Sequence, residues 1–411
     1  MMGCCDVQGL KPLDLAMQEM LDNIDAVTET LTLDLAEALD YILAEDISSP
    51  MNVPPFDNSA MDGYAVRITD LTQSMTLPLA GKAFAGQPFM GEWPIGTCIR
   101  IMTGAPVPTG CEAVIMQEST QVDGDLITFD SIPPMHDNIR NAAEDIAIGQ
   151  SVLTKGRRLT PRDIPMLATI GVDKILVYRR LKVAIFSTGD ELKSLGQPLG
   201  NGEIYDSNRY SINAMLSRLN LDIIDFGIVP DNEDLLRETF LKADAVADAV
   251  ITSGGVSVGE ADYTKILLEE LGEIGFWKLA IKPGKPFAFG TLPSSKFFGL
   301  PGNPVSATVT FHQLVVPALA KMTNQVFTPT PRFNAIAATR MKKAPGRMDF
   351  QRAIYSVNAQ GQLEVVSTGS QGSGVFSSLS HSNCYAIIEQ DRGNVEIGET
   401  VTIEPFNEIL N

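Results

Sequence analysis

The sequence predicts a multidomain chain of the α/β plus β class. Its parts are a parallel-sheet α/β domain, a β-rich inserted domain, a helical linker domain and a small C-terminal β-barrel. Three observations carry this reading. Residues 181–328 alternate apolar strand runs with amphipathic helical runs. Residues 48–148 break into short apolar stretches parted by Gly, Pro and Asp turns. Pro329 and Pro331 then mark a linker before a last tract of alternating residues. With 411 residues, the chain has room for about two to four domains.

Leu13, Met17, Met20, Leu21 and Ile24 fall at helical spacing, and a second run covers 33–43, so 11–47 reads as helical. Pro50, Pro54 and Pro55 stop the pattern. Strand-like runs follow at 99–102 and 113–116. From 160 to 171 the pattern is helical again, with Pro161 suited to a first turn. The simplest organisation folds 149–180 back onto 10–47, leaving 48–148 as an insertion with its own core. Within 181–330, strands are expected at 182–186, 222–229, 247–252 and 296–300. Helices are expected at 207–219, 232–243, 261–271 and 304–322. That rhythm requires a mostly parallel sheet with helices on both faces. Residues 331–411 hold five short strands, among them 334–339, 351–357 and 400–404, which a small barrel or sandwich would close.

Lys and Arg number 31 against 50 Asp and Glu, a net charge of −19. Such a surface repels nucleic-acid phosphates. No apolar run reaches the roughly 18 residues of a membrane span, and residues 1–10 do not read as a signal peptide. Five cysteines without metal-type spacing point to a reducing cytoplasm. Cys98, Cys111 and Cys384 read as core thiols. With three histidines in all, a His-based metal site or a Ser-His-Asp triad is a poor fit.

Ligands of parallel α/β sheets bind beyond the carboxyl ends of the strands. Four loops fall there: 187–191 (STGDE), 229–232 (VPDN), 252–262 (TSGGVSVGEAD) and 299–306 (GLPGNPVS). In the third, Gly254 and Gly255 let backbone N–H groups turn inward, and Ser253 and Ser257 add hydroxyls. That composition makes an anion cradle at a helix start. In the fourth, which spans Pro301 and Gly302, Asn303 suits a cap and Pro304 a first helical residue. One such loop is commonly only a tight turn; several on one sheet edge are not. Glu191, Asp231 and Asp262 accompany the cradles and are candidate Mg²⁺ contacts bridging to phosphate, although Asp231 or Asp262 would serve equally as a helix cap.

Lys278, Lys282 and Lys285 lie within eight residues of one another, on a run stiffened by Pro283 and Pro286. Fixed cations suit an oxyanion. In the insertion, 56–65 (FDNSAMDGYA) and 101–106 (IMTGAP) are polar and distinctive, and Arg140 with Glu144-Asp145 adds charge. The residues alone do not place these stretches in the sheet crevice, unless a neighbouring subunit brings them there.

Taken together, DNSAMDGYA at 57–65, MTGAP at 102–106, STGDEL at 187–192, TSGGVS at 252–257, KPGKP at 282–286 and LPGNP at 300–304 resemble the molybdopterin molybdenumtransferase family, across nearly the whole chain and in family order. This family carries out the last insertion step of molybdenum cofactor synthesis and is related to the C-terminal domain of gephyrin. The resemblance implies that 181–330 is the molybdopterin-binding domain. It implies a homodimer in which that domain of one subunit faces the insertion of the other. It implies that adenylylated molybdopterin and molybdate are consumed, with Mg²⁺-dependent cleavage of the phosphoanhydride and release of AMP. Partners would include the molybdopterin-adenylylating enzyme and molybdoenzyme maturation proteins. Asp62, Asp145 and Thr103 match site residues of the insertion. Glu191, Asp231 and Asp262 match the acids of the α/β crevice, and Lys278, Lys282 and Lys285 its basic loop. Pro301 and Pro304 match the loop at the molybdate end, and Arg352 and Ser373 match functional positions of the barrel.

One departure is Ala143, where the family has Gly before Glu-Asp. It predicts a remodelled, less basic loop around Asp145, because Ala resists positive φ. Two alternatives carry other functions: adenylylation of molybdopterin by a related α/β domain, and a gephyrin-like scaffold. The insertion and barrel disfavour the first; the full set of acids and lysines disfavours the second.

Overall fold

A computed structural model describes residues 9–255 and 263–411. The four apolar runs of the α/β region form parallel strands in the order Asp222–Val229, Lys182–Thr188, Ala249–Ser253, Lys296–Leu300. Their near-continuous burial explains the unbroken apolar spelling: six of the seven residues of Lys182–Thr188 are buried. Helices cover both faces. Asn208–Ser217 and the 304–322 run share a core with Ile185, Ile251 and Phe298. Glu233–Val246 and Tyr263–Leu271 pack on the other face with Phe186, Val250 and Phe297. There Phe186 meets Phe240 edge-on, with ring centroids 5.1 Å apart.

The sheet is mixed rather than wholly parallel. Two strands absent from the sequence reading, Pro286–Thr291 and Glu273–Lys278, extend it antiparallel beyond Lys296–Leu300. The basic run around Lys278 and Lys285 is thus the turn of a hairpin. The 304–322 helix is one run with a π-helical turn at Phe311–Val315. Pro317 lacks the N–H that would close a regular turn onto residue 313, which accounts for the wider turn before it.

The expected helical linker domain is largely β. Only Leu13–Asp22 of 11–47 is α-helical, and its Leu13, Ala16 and Met20 pack into the α/β core. Residues 30–34 read Thr-Leu-Thr-Leu-Asp, a period of two, and form a strand paired antiparallel with Lys174–Tyr178. Ile47–Ser48 pairs with Ser151–Leu153. Leu43, Leu153, Leu159, Leu167 and Val177 then share one core, which joins 30–48 to 146–178. Pro161 precedes the helix Asp163–Thr169 rather than opening it. Asp163 accepts the N–H and hydroxyl of Thr160 at 2.8 and 2.7 Å.

Between these ribbons the insertion forms a six-stranded sheet, ordered Ala113–Met116, Gly63–Val66, Cys98–Ile101, Thr76–Ala83, Leu126–Phe129, Thr120–Asp123. In the C-terminal region five strands close on themselves: Met348–Val357, Leu363–Ser367, Phe333–Ala337, Thr400–Pro405 and Cys384–Ile388, the last pairing back with the first. Ile281–Lys282 pairs with Met348 and Asp349, tying this barrel to the α/β domain. Cys98 and Cys384 are buried, and desolvation pushes both thiols up to about 12; Cys111 is half-buried and pushed up to about 11. Among the described residues no helix is long and apolar enough to cross a membrane.

Ala143 adopts the backbone conformation that Ala was expected to resist. It takes φ 64 despite its Cβ. Backbone bonds hold it there: Ala143 N–H donates to Pro54 O at 3.1 Å and Asp145 N–H to Val53 O at 2.9 Å, while Ala142 N–H reaches the Asp57 carboxylate at 2.7 Å. A left-handed non-glycine residue costs roughly 1–2 kcal/mol. Ala143→Gly should therefore stabilise the insertion by about 0.5–1 kcal/mol, the relief less the added chain entropy of glycine. Thermal unfolding checks this; a lowered midpoint would contradict it.

Candidate functional site

Parallel strands carry their outgoing turns to one edge, and here the turns after Lys182–Thr188, Ala249–Ser253 and Lys296–Leu300 enclose a crevice of about 500 Å³. Its walls hold Thr188, Gly189, Glu191, Asp231, Ser253 to Gly255 and Pro301 to Pro304. Nine expected site residues thus meet: Glu191, Asp231, Ser253, Gly254, Gly255, Pro301, Gly302, Asn303 and Pro304. Ser257 and Asp262 lie outside the described residues.

The turns approach one another closely. A Cβ on Gly254, at φ 94, would lie 2.4 Å from the carbonyl oxygen of Thr188. Gly254 N–H donates to Leu300 O at 3.2 Å, which pins the second turn to the third. Asp231 is not a helix cap. Asn232 takes that role, its side chain accepting Leu235 N–H at 3.1 Å. Asp231 instead accepts the Thr188 hydroxyl on Oδ1 and its backbone N–H is held by Asp190 at 3.1 Å. Its other carboxylate oxygen has no hydrogen bond among the described residues. Glu191 is exposed at the rim. Asn303 stands at the cap position before Pro304, yet its side chain makes no cap hydrogen bond.

The sequence reading missed Asp206, Ser207 and Asn208, which form a further wall. Buried Asp206 accepts the Ser187 hydroxyl at 3.0 Å and Arg209 Nε at 2.9 Å. Asn208 Nδ2 donates to Ser253 Oγ and to Gly302 O, both at 2.7 Å. A polar Asp-Ser-Asn opening a helical run was the available signal, but it reads equally as ordinary capping.

The three lysines do not line the crevice. Lys282 lies 3.4 Å from the buried carboxylate of Asp349. Lys278 and Lys285 are exposed on the hairpin and meet no carboxylate among the described residues. Arg352, expected at the substrate, is fully buried. Its guanidinium donates to Ser378 Oγ at 3.1 Å, Phe350 O at 3.1 Å and Gly372 O at 3.3 Å. Through these three bonds Arg352 anchors the loop that carries Ser373. That loop does approach the site, since Ser373 O accepts Val305 N–H at 3.1 Å, one residue past Pro304.

A second cluster lies in the insertion, none of whose residues lines the crevice. Antiparallel register sets Gly63 opposite Ile101, which brings Asp62 beside Thr103. Gly63 is required there, because a Cβ would lie 2.0 Å from Ile115 O. Asp62 Oδ1 accepts the N–H and the hydroxyl of Thr103, each at 2.7 Å. The Thr103 hydroxyl and then its N–H, helped by Arg100, hold the Asp62 carboxyl below the usual carboxylate range. Asp145 is exposed on the neighbouring 53–62/140–146 loop pair.

Because the folded pKa of Asp62 is depressed, the favourable contribution of its charge is present above the unfolded value and is lost as pH falls through the folded value. Thr103→Val removes the leading cause. It should move the Asp62 titration upward, as followed by carboxyl NMR; an unmoved titration would show that the hydroxyl does not set it.

Three family models match the chain: MoeA N-terminal region (domain I and II) over 11–171, Probable molybdopterin binding domain over 184–321, and MoeA C-terminal region (domain IV) over 334–406. The chain is 55% identical to the molybdopterin molybdenumtransferase of Haemophilus influenzae, covering 97% of this chain and 99% of that one. It is 32% identical to gephyrin of Dictyostelium discoideum, over 97% of this chain and 63% of that one. The crystal structure of the molybdopterin biosynthesis moeA protein from Pyrococcus horikoshii OT3 superposes with a TM-score of 0.83 at 32% identity, covering 97% of this chain and all of that one, 100%.

Proposed function

The chain belongs to the molybdopterin molybdenumtransferase family, transferases of molybdenum cofactor biosynthesis, and from that premise we propose that it transfers molybdenum from molybdate into adenylylated molybdopterin, cleaving the phosphoanhydride and releasing AMP. The observation that carries the reading is the convergence of Glu191 and Asp231 with the Ser253–Gly255 and Pro301–Pro304 turns in one crevice. Small residues and backbone N–H groups of these turns would hold oxyanions, and a divalent ion on the carboxylates would balance phosphate charge.

Mg²⁺ fits this donor set as a partly hydrated ion. Carboxylate oxygens are hard ligands, and Mg²⁺ commonly takes only one or two of them, with phosphate and water filling the rest. The described residues contain no group of three or more His, Cys, Asp or Glu side chains able to hold a metal alone. Glu191 and Asp231 would hold it, joined by Asp262. When bound, it would neutralise charge on the anhydride being broken. Thr188 would keep Asp231 oriented through its hydroxyl, and the Gly254 turn would bring backbone against the phosphates.

Asp62, Thr103 and Asp145 enter this proposal through a homodimer, the insertion of one subunit closing over the crevice of its partner. A carboxylate kept ionised by Thr103 would then act in the cytoplasm across a broad pH range. The adenylylating enzyme that supplies the substrate and the maturation proteins that receive the product complete the expected set of partners.

AMP release from adenylylated molybdopterin should require both molybdate and Mg²⁺, as followed by chromatography of the nucleotide. Asp62→Ala should fold and lose turnover by about 100-fold or more, the scale set by losing one preorganised electrostatic group. Equal AMP release without molybdate would overturn the reading.

A further inference from the structure

Asn208 carries an unexplained cost at the heart of the crevice. Its Nδ2 hydrogens go to Ser253 Oγ and Gly302 O, each at 2.7 Å. Gly302 O can only accept, so the nitrogen must face it, and the amide orientation is fixed. That leaves Asn208 Oδ1 buried without a hydrogen-bond partner among the described residues. Folding alone does not favour this, since a buried acceptor left unpaired is unfavourable and a side chain with no such oxygen would avoid it. Such unsatisfied groups persist where the surroundings hold them for another purpose.

We propose that Asn208 is a positioning residue that, by donating to Ser253 Oγ, turns the Ser253 hydroxyl proton toward the anionic end of the crevice's ligand. Ser253 and Gly302, whose Oγ and carbonyl oxygen accept from Asn208, both line the crevice. Asn208 occupies a lone pair of each. Ser253 Oγ then receives one hydrogen bond, and among the described residues its own proton has no acceptor. That proton is free for a phosphate oxygen. The same amide ties the turn after Ala249–Ser253 to the turn after Lys296–Leu300, fixing the spacing of the two cradles. Asn208 opens the helix Asn208–Ser217, and neighbouring Asp206 is held by Ser187 and Arg209, so the amide rests on an anchored base. The inference rests on the anion-binding reading of the crevice, not on molybdenum transfer itself.

The test is a double-mutant cycle on AMP affinity, measured by calorimetry with the full chain. Asn208→Ala and Ser253→Ala should each weaken AMP binding about tenfold, as expected for a hydrogen bond to a charged group. The double variant should lose about the same tenfold, because the amide works through the hydroxyl. A general structural role would instead multiply the losses to about 100-fold, as independent sites do. Multiplied losses, an Asn208→Ala variant with unaltered affinity, or no AMP binding by the unmodified chain would each overturn the proposal. If Asn208→Ala does not fold, Asn208→Ser carries the same cycle. A chain that binds AMP with this coupling, but releases none from adenylylated molybdopterin, would support this inference while sinking the reading of turnover.

Discussion

The close approach of the Ser253–Gly255 turn to the Thr188 carbonyl is the constraint on which the crevice depends. With 2.4 Å between a would-be Cβ and that oxygen, only glycine lets the two strand ends stand side by side. Once they do, Thr188 can hold Asp231 from one side, while Gly254 bonds to Leu300 on the other. Four parallel strands supply the edge; the glycine turn draws its outgoing turns together around a crevice of about 500 Å³. The barrel contributes from outside, because Arg352 fixes the loop whose Ser373 carbonyl bonds the helix start after Pro304.

The two acidic clusters differ in design. In the crevice, carboxylates are placed with oxygens to spare: Asp231 is held by one oxygen, and Glu191 stands exposed. In the insertion, the Asp62 carboxylate accepts two bonds from Thr103 on one oxygen. A carboxylate tethered on one oxygen keeps the other for a second body. Among the described residues none of the insertion lines the crevice of its own chain, and the homodimer we propose would unite the two clusters under two-fold symmetry.

Much of the α/β domain was legible because both-face burial writes parallel strands as unbroken apolar runs, as in Val183 to Phe186. The edge strands Glu273–Lys278 and Pro286–Thr291 were not. Their glycines and proline spell turns, and only pairing makes them strands: Pro286–Thr291 with Lys296–Leu300, and Glu273–Lys278 with Pro286–Thr291. Residues 30–34 were lost to the opposite error, since Leu31, Leu33 and Leu35 sit inside a tract that also satisfies helical spacing. The crevice acids and glycine turns were readable one loop at a time, while Asp62 and Thr103 were noted separately, 41 residues apart, and only strand register joins them. Arg352 read as a ligand contact because sequence does not reveal burial. Asn208 was passed over because its Asp-Ser-Asn run reads equally as capping, while its two bonds go to distant turns. Ala143 shows that local preference, correctly understood, still yields to backbone bonds that fix the turn.

Subunit complementation tests the shared crevice most directly. Asp62→Asn and Glu191→Gln chains, each inactive alone, would be mixed, dissociated and reassembled, and molybdate-dependent AMP release measured. The account predicts recovery to about a quarter of the unmutated rate, since about half of random dimers are mixed and each mixed two-fold dimer keeps one intact site. Activity no higher than that of the separate variants would contradict it, because every site would then belong to a single chain.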